Sequence, residues 1–78
     1  MSVFLELANS TYAGYKILLS RISYISMINY NNKLKEFYLE LGYDSKEFSK
    51  FVLSFPTEEE ASQRQQEIIN ILEEFYSR

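Results

Sequence analysis

Residues 48–60, FSKFVLSFPTEEE, decide the fold, because a strand pattern, a strand stop and a helix start follow one another within them. Large apolar side chains recur at every second position from Phe51 to Phe55, which is typical of a half-buried strand. The pattern predicts a strand over residues 48–55. Pro56 should end it, because proline has no N–H to donate to a neighbouring strand.

A helix is predicted directly after this stop. Thr57 and Glu60 have the spacing of a capping box, in which the Thr57 hydroxyl accepts from the Glu60 N–H and the Glu60 carboxylate returns to the Thr57 N–H. Carboxylates at positions 58–60 also favour the positive end of the helix dipole. We interpret them as a helix start rather than as a metal site or a surface for a basic partner.

The helix should be amphipathic and run to Tyr76. Its apolar side contains Ala61, Gln65, Ile68, Ile69, Ile71, Leu72, Phe75 and Tyr76. This side is wide enough to cover a sheet. We expect at least Ile68, Leu72 and Phe75 to be buried.

Four further strands are predicted earlier in the chain, over residues 3–7, 15–19, 24–30 and 33–41. The first two should pair as an antiparallel hairpin, because the loop between them is short and has Asn9 and Ser10 as turn formers. Turns are predicted at residues 29–32 and 42–47, with Tyr43 at the tip of the second turn.

Residues 20–23 interrupt the alternation. We interpret them as a bend or a 3₁₀ step, because Ile22 falls on the wrong face of the pattern or requires a bulge. A helix over residues 15–27 is the alternative, but the serines and β-branched isoleucines of this region favour strands. The predicted fold class is therefore α+β: a five-stranded antiparallel meander covered on one face by a single C-terminal helix. Residues 1–78 should form one domain.

Composition excludes several classes of function. The 78 residues contain no cysteine and no histidine, which removes thiolate metal sites, the usual zinc sites and histidine-activated nucleophiles. The net charge is −3 with scattered basic residues, so we expect no nucleic-acid partner. No apolar run is long enough to span a membrane and no signal peptide is evident. We expect a cytoplasmic protein with no cofactor.

Carboxylates are the remaining candidates for catalysis. Glu36 and Glu40 share one face of a predicted strand, but paired-carboxylate chemistry needs a deep cleft, for which so short a chain has little room. A solvated strand face is the preferred interpretation. We therefore predict a non-enzymatic protein.

A single helix can cover only one face of the sheet, so apolar side chains on the other face need a different cover. We expect this open face to carry some of Phe4, Tyr24, Ile28, Tyr30, Tyr38, Phe48 and Val52. Either the sheet curls into a partial barrel and hides them, or a second copy or another protein covers them. Seven tyrosines also suit an interface, although a sheet by itself favours tyrosine.

Arginine and tyrosine together suggest an anion site. Arg21, Arg64 and Tyr24 could hold a phosphate-bearing ligand between subunits, since arginine pairs with phosphate and tyrosine stacks on bases; two exposed arginines are the simpler interpretation. The candidate residues for binding a ligand or a partner are Tyr12, Arg21, Tyr24, Tyr30, Tyr38, Tyr43 and Arg64. They support two hypotheses: a self-associating protein that docks on a protein partner, or an oligomeric sponge for an anionic nucleotide-type signal.

The segment KILLSRISYI at residues 16–25 resembles small bacterial and phage-encoded proteins in which a lysine- and isoleucine-rich second strand bends into a third strand. Residues 2–28 carry most of this resemblance and residues 51–72 support it. In outline the chain is similar to phage sponges that bind nucleotide signals between subunits and disarm host defence. This resemblance implies a phage-encoded inhibitor of a host system. A truncated pleckstrin-homology-like sheet with its closing helix is also similar in outline.

Overall fold

The computed structural model describes residues 3–8 and 10–77, so the predicted turn role of Asn9 lies outside the described residues. The fold is α+β with antiparallel sheets and a C-terminal helix, as predicted. Instead of five strands in one meander, the described residues form six strands in sheets of two and four. In chain order the elements are β1 (Phe4–Glu6), β2 (Lys16–Leu18), a 3₁₀ turn (Leu19–Arg21), β3 (Ile22–Ile25), β4 (Asn29–Asn31), β5 (Glu36–Tyr43), β6 (Lys50–Phe55) and α1 (Glu58–Tyr76).

The predicted first hairpin is confirmed. β1 and β2 pair antiparallel, with Leu5 opposite Ile17, and both side chains are buried. The loop closes because the Leu7 N–H donates to the Tyr15 carbonyl and the Gly14 N–H donates to the Leu7 carbonyl. Gly14 has a φ of 91°, a conformation that favours glycine.

The predicted bend is also present. A 3₁₀ turn at Leu19–Arg21 buries Leu19 and leads into β3. Ile22 is buried, and the register of β3 against β5 shifts between Ile22 and Tyr24. This register shift is a β-bulge. It places Ile22 in the core, as expected from the position of Ile22 in the sequence. Residues 15–28 do not form the alternative long helix.

The predicted third strand is wrong in its extent, because Ser26 divides it. β3 and β4 pair with the two ends of β5 and leave residues 26–28 between them. The Ser26 hydroxyl accepts from the Glu40 N–H at 2.8 Å, while the Ser26 N–H donates to the Glu40 carbonyl at 2.9 Å. Glu40 in β5 therefore keeps hydrogen bonds at its backbone N–H and carbonyl where the neighbouring strand is interrupted between β3 and β4.

The turn predicted at residues 29–32 is displaced. Residues 29–31 form β4, and the turn occupies residues 32–35. The Asn31 side-chain oxygen accepts from the N–H groups of Lys33 and Leu34, and Lys35 adopts a φ of 53°. The side chain of Asn31 thus directs the turn from its start.

The strands on either side of residues 44–49 also differ from the prediction. β5 begins at Glu36 rather than at position 33, and it continues through Gly42 and Tyr43, which were predicted as a turn. β6 begins at Lys50 and not at Phe48. β5 is the central strand, since β6 pairs with it along residues 37–42 while β3 and β4 pair with it at its two ends.

The predicted helix start is confirmed. Thr57 is the N-cap, and its hydroxyl accepts from the Glu60 N–H at 3.2 Å. The Glu60 carboxylate accepts from the Thr57 hydroxyl, also at 3.2 Å, rather than from the Thr57 N–H. The side-chain contact differs from the predicted one, but the helix begins where the spacing placed it.

The core lies on one face of the four-stranded sheet, which we call the inner face. Its buried side chains from β5 and β6 are Leu39, Leu41, Phe51, Leu53 and Phe55. The helix covers them together with the β1–β2 hairpin, whose Leu5 and Ile17 belong to the same cluster. The cover is therefore a hairpin and a helix, and not the helix alone. Ile68 is fully buried as predicted, whereas Leu72 and Phe75 are only half-buried, which corrects the prediction for both.

Candidate functional site

The opposite face of the sheet carries no described element. We call it the open face and define it by Tyr24, Tyr38, Glu40, Gly42, Lys50, Val52 and Ser54. The register assigns these residues to one face, because Tyr24 and Lys50 lie opposite Gly42, Val52 lies opposite Glu40, and Ser54 lies opposite Tyr38. Tyr24 is 48 % exposed and Val52 is 39 % exposed. The open face therefore combines aromatic and aliphatic surface with one charged pair.

The upper end of the open face is shaped by Tyr24 and Gly42. The Tyr24 ring lies directly over Gly42, where a Cβ atom would collide with two ring carbons and lie 2.7 Å from the Ser23 hydroxyl. Gly42 is buried by this contact although it lies outside the apolar core. The Tyr24 side chain therefore lies against the backbone of Gly42 on this face of the sheet and stays 48 % exposed.

An ion pair lies in the middle of the open face. The Lys50 Nζ is 3.0 Å from the Glu40 Oε1. The hydrogen bond to Glu40, and then the charge of that carboxylate, hold the pKa of Lys50 above its ordinary value. The pair neutralises the centre of the surface, so the open face is polar there without a net charge.

A shallow pocket occupies the lower end. It has a volume of about 160 Å³ and is lined by Asn31, Leu34, Glu36, Tyr38, Val52 and Ser54. Small-molecule sites usually enclose roughly 300–1,000 Å³, so the pocket is smaller than a nucleotide site. Leu34 is 65 % exposed at its rim. The pocket suits one inserted side chain better than a whole ligand.

The sequence predicted only part of the open face correctly. Tyr24, Tyr38 and Val52 lie on it as expected. Tyr30 lies opposite Phe37 and is therefore on the inner face, where the two ring centroids are 4.9 Å apart. The other three residues of the predicted set are also elsewhere: Phe4 in β1, Ile28 in the break after β3, and Phe48 before β6.

Two candidate tyrosines have structural contacts. Tyr12 packs edge-on against Phe48 and Phe51, with ring centroids 5.1 and 5.5 Å apart, and so closes the loop of the first hairpin over the core. Tyr43 is not at a turn tip. It lies in β5, and its hydroxyl accepts from the Leu18 N–H at 3.1 Å, which ties the hairpin to the sheet.

The two candidate arginines each contact a backbone carbonyl. Arg21 donates to the Asp44 carbonyl at 2.9 Å. Arg64 donates to the Glu6 carbonyl at 3.1 Å and to the Glu67 carboxylate at 3.3 Å. Arg64 belongs to α1 and Tyr24 to the open face, so the sheet separates them. One chain does not bring Arg64 and Tyr24 together as a single anion site.

Sequence reasoning missed the roles of Gly42, Lys50 and Ser54 in this surface. The signal was available for Lys50 and Ser54, because both alternate with the buried residues of β6 and must share a face with Val52. Gly42 had no such signal, since its role depends on the bulge that brings Tyr24 opposite it.

Comparison with protein-family models, with curated proteins and with solved structures gives no match. In the described part of the chain, α1 is too polar to cross a membrane. Residues 3–8 and 10–77 also contain no group of three or more carboxylates placed to hold a metal ion. Among the described residues, the open face is therefore the feature that points to a function.

Proposed function

We propose that this chain is a small non-catalytic binding protein that self-associates and docks on a protein partner, and that it works in the cytoplasm. The observation that carries the proposal is the uncovered face of the sheet with Tyr24, Tyr38 and Val52. A rigid surface of aromatic and aliphatic side chains with a few polar groups is typical of protein interfaces.

Two features support binding to a protein rather than to a small ligand. The pocket on the open face is small, and its charged lining residue is Glu36. The negative charge of this carboxylate disfavours the binding of an anion. A relatively flat surface around it suits the broad contact that two proteins make. The exposed Leu34 and Tyr24 lie at the two ends of the open face. They are candidates for the residues that contribute most to binding.

The carboxylates of the open face and of its pocket support a non-catalytic role. Glu40 is held by Lys50 at 3.0 Å, and Glu36 lines a shallow pocket rather than a deep cleft. A general acid or base needs a substrate held within hydrogen-bond reach. Neither carboxylate has around it the walls that would hold a substrate in that position.

The experiment is capture of a partner from the source cell with matched variants. We expect Tyr24→Ala and Leu34→Ala to lose the protein that the wild type captures. Tyr76→Ala should retain it, because Tyr76 is 61 % exposed on the helix and away from the open face. Equal capture by all three variants would place the docking surface elsewhere and contradict the proposal.

A melting experiment separates this function from the nucleotide sponge. A ligand that binds the native state raises the melting temperature, by an amount set by its concentration relative to Kd. We expect cyclic nucleotides and ADP-ribose derivatives to leave the melting temperature unchanged. A rise of several degrees with one of them would favour the sponge over the docking protein.

A further inference from the structure

The outer edge of β6 presents backbone groups that no described residue uses. In an antiparallel sheet the N–H and C=O of one residue point to the same side, and successive residues alternate. Glu40 exchanges hydrogen bonds with Ser26 and so points away from β6. Leu39 and Leu41 therefore point toward β6, where they lie opposite Leu53 and Phe51.

The same alternation fixes the direction of every residue in β6. The Tyr43 N–H donates to the Ser49 carbonyl at 2.9 Å, which agrees with odd-numbered residues of the two strands bonding to each other. The N–H and C=O groups of Lys50, Val52 and Ser54 consequently point outward. In the described ranges only β5 pairs with β6. Lys50 and Val52 are exposed and Ser54 is half-buried, so solvent reaches this edge.

The opposite edge of the sheet is much less suitable for pairing. It is formed by β3 and β4, which are short, contain a register shift and are separated by residues 26–28. Bulges and short strands are the usual means by which a sheet edge avoids pairing with another chain. β6 has no register shift over its six residues, and its buried side chains alternate with exposed or half-buried ones without interruption.

We propose that the β6 edge pairs with the same edge of a second copy of this chain, antiparallel and with Val52 opposite Val52. The inference depends on the self-association in the proposed function and specifies its interface. It is an isologous contact, because both copies use the same residues around a two-fold axis. The two four-stranded sheets then form one continuous sheet, and the two open faces form one surface.

Charge and hydrogen bonding favour this register over a two-fold axis at Lys50 or at Ser54. With Val52 at the axis, Lys50 lies opposite Ser54 of the second copy, and the outward pairs contribute about six backbone hydrogen bonds, two for each pair. An axis at Lys50 would instead set two ammonium groups opposite each other, which is unfavourable. An axis at Ser54 would set Val52 opposite Pro56, which has no N–H to donate.

Sedimentation equilibrium with Val52→Pro tests the edge. The Val52 N–H has no partner within the described chain, so the substitution should leave the fold intact while removing two hydrogen bonds across the axis. We expect the wild type to be a dimer and Val52→Pro to weaken dimerisation by about tenfold or more. Val52→Ala keeps the N–H and is the matched control, which should remain a dimer.

A pair of charge variants tests the register without disturbing the backbone. Ser54→Glu should strengthen dimerisation, because the new carboxylate lies opposite Lys50 of the second copy, and Ser54→Lys should weaken it. Each change should be about threefold to tenfold, and the difference should shrink as salt is added. If Val52→Pro fails to fold, the two Ser54 variants still test the β6 interface.

The outcomes distinguish this inference from the proposed function. A dimer that is equally stable in all Val52 and Ser54 variants would overturn the β6 interface and leave self-association standing. A wild type that is monomeric at every concentration would overturn the interface and the self-association together. In that case, capture of a partner by the open face would still test docking.

Discussion

The ring of Tyr24 covers the backbone of Gly42, so a residue predicted as part of a turn is a buried position in the central strand. The absence of a side chain at Gly42 leaves room for the ring at this position on the open face. The contact therefore links the bulge in β3 to the shape of the surface that we propose for binding.

Replacing this glycine should disturb both strands. We expect Gly42→Ala to destabilise the fold by about 1–3 kcal/mol, because the added methyl group forces the Tyr24 ring away from the sheet. Denaturant unfolding measures the loss. In the double variant with Tyr24→Ala the cost should fall, since the colliding ring is gone. A Gly42→Ala penalty that is unchanged without the ring would mean that the contact is not its cause.

The helix should depend most on Ile68. Ile68→Ala should cost about 2–5 kcal/mol, as expected for a large side chain in a packed core. Leu72→Ala is the matched comparison and should cost less, because Leu72 is half-buried. Chemical denaturation gives both values. Equal losses for the two variants would contradict the burial that separates them.

The break after β3 should depend on the Ser26 hydroxyl. Ser26→Ala leaves the Glu40 N–H without its acceptor, and a loss of about 1–3 kcal/mol is expected for a partly buried donor. Ser49→Ala is the control, since Ser49 is exposed and its hydroxyl makes no hydrogen bond within the described residues. Equal melting temperatures for Ser26→Ala and Ser49→Ala would mean that the Ser26 hydroxyl does not stabilise the break.

The ion pair on the open face predicts a pH dependence. A raised pKa means that the folded state holds the Lys50 proton more tightly than the unfolded state. Its contribution to stability is present below the ordinary lysine pKa of about 10.4 and is lost as pH rises through the higher folded value. Glu40→Gln should lower the Lys50 pKa, as followed by an NMR titration of its side chain. An unchanged Lys50 pKa in Glu40→Gln would contradict the contribution of the ion pair.

The local sequence predicted the elements with a strong periodic pattern. The alternation of β6, Pro56 and the Thr57 cap have physical causes within a few residues of each other, and the structure agrees on all three. The first hairpin was predictable for the same reason, since both strands and their loop are close in the sequence.

The rest depends on contacts between distant residues. The hydroxyl of Ser26 reaches Glu40 fourteen positions away, and this contact divides a run of residues that otherwise alternates like one strand. Likewise, the Tyr43 hydroxyl accepts from the Leu18 N–H and so helps to hold the hairpin beside the helix as part of the cover. Periodicity along the chain contains neither contact, so the break at Ser26 was not predicted and Tyr30 was expected on the open face instead of the inner one.

Amide hydrogen exchange along β6, followed by NMR as the protein concentration rises, tests the central claim most directly. In dilute solution the outward amides of Lys50, Val52 and Ser54 should exchange fast, and those of Phe51, Leu53 and Phe55 slowly. At high concentration the three outward amides should become protected, since each gains a partner in the second copy. Fast exchange of the outward amides at every concentration would contradict the pairing of the β6 edge.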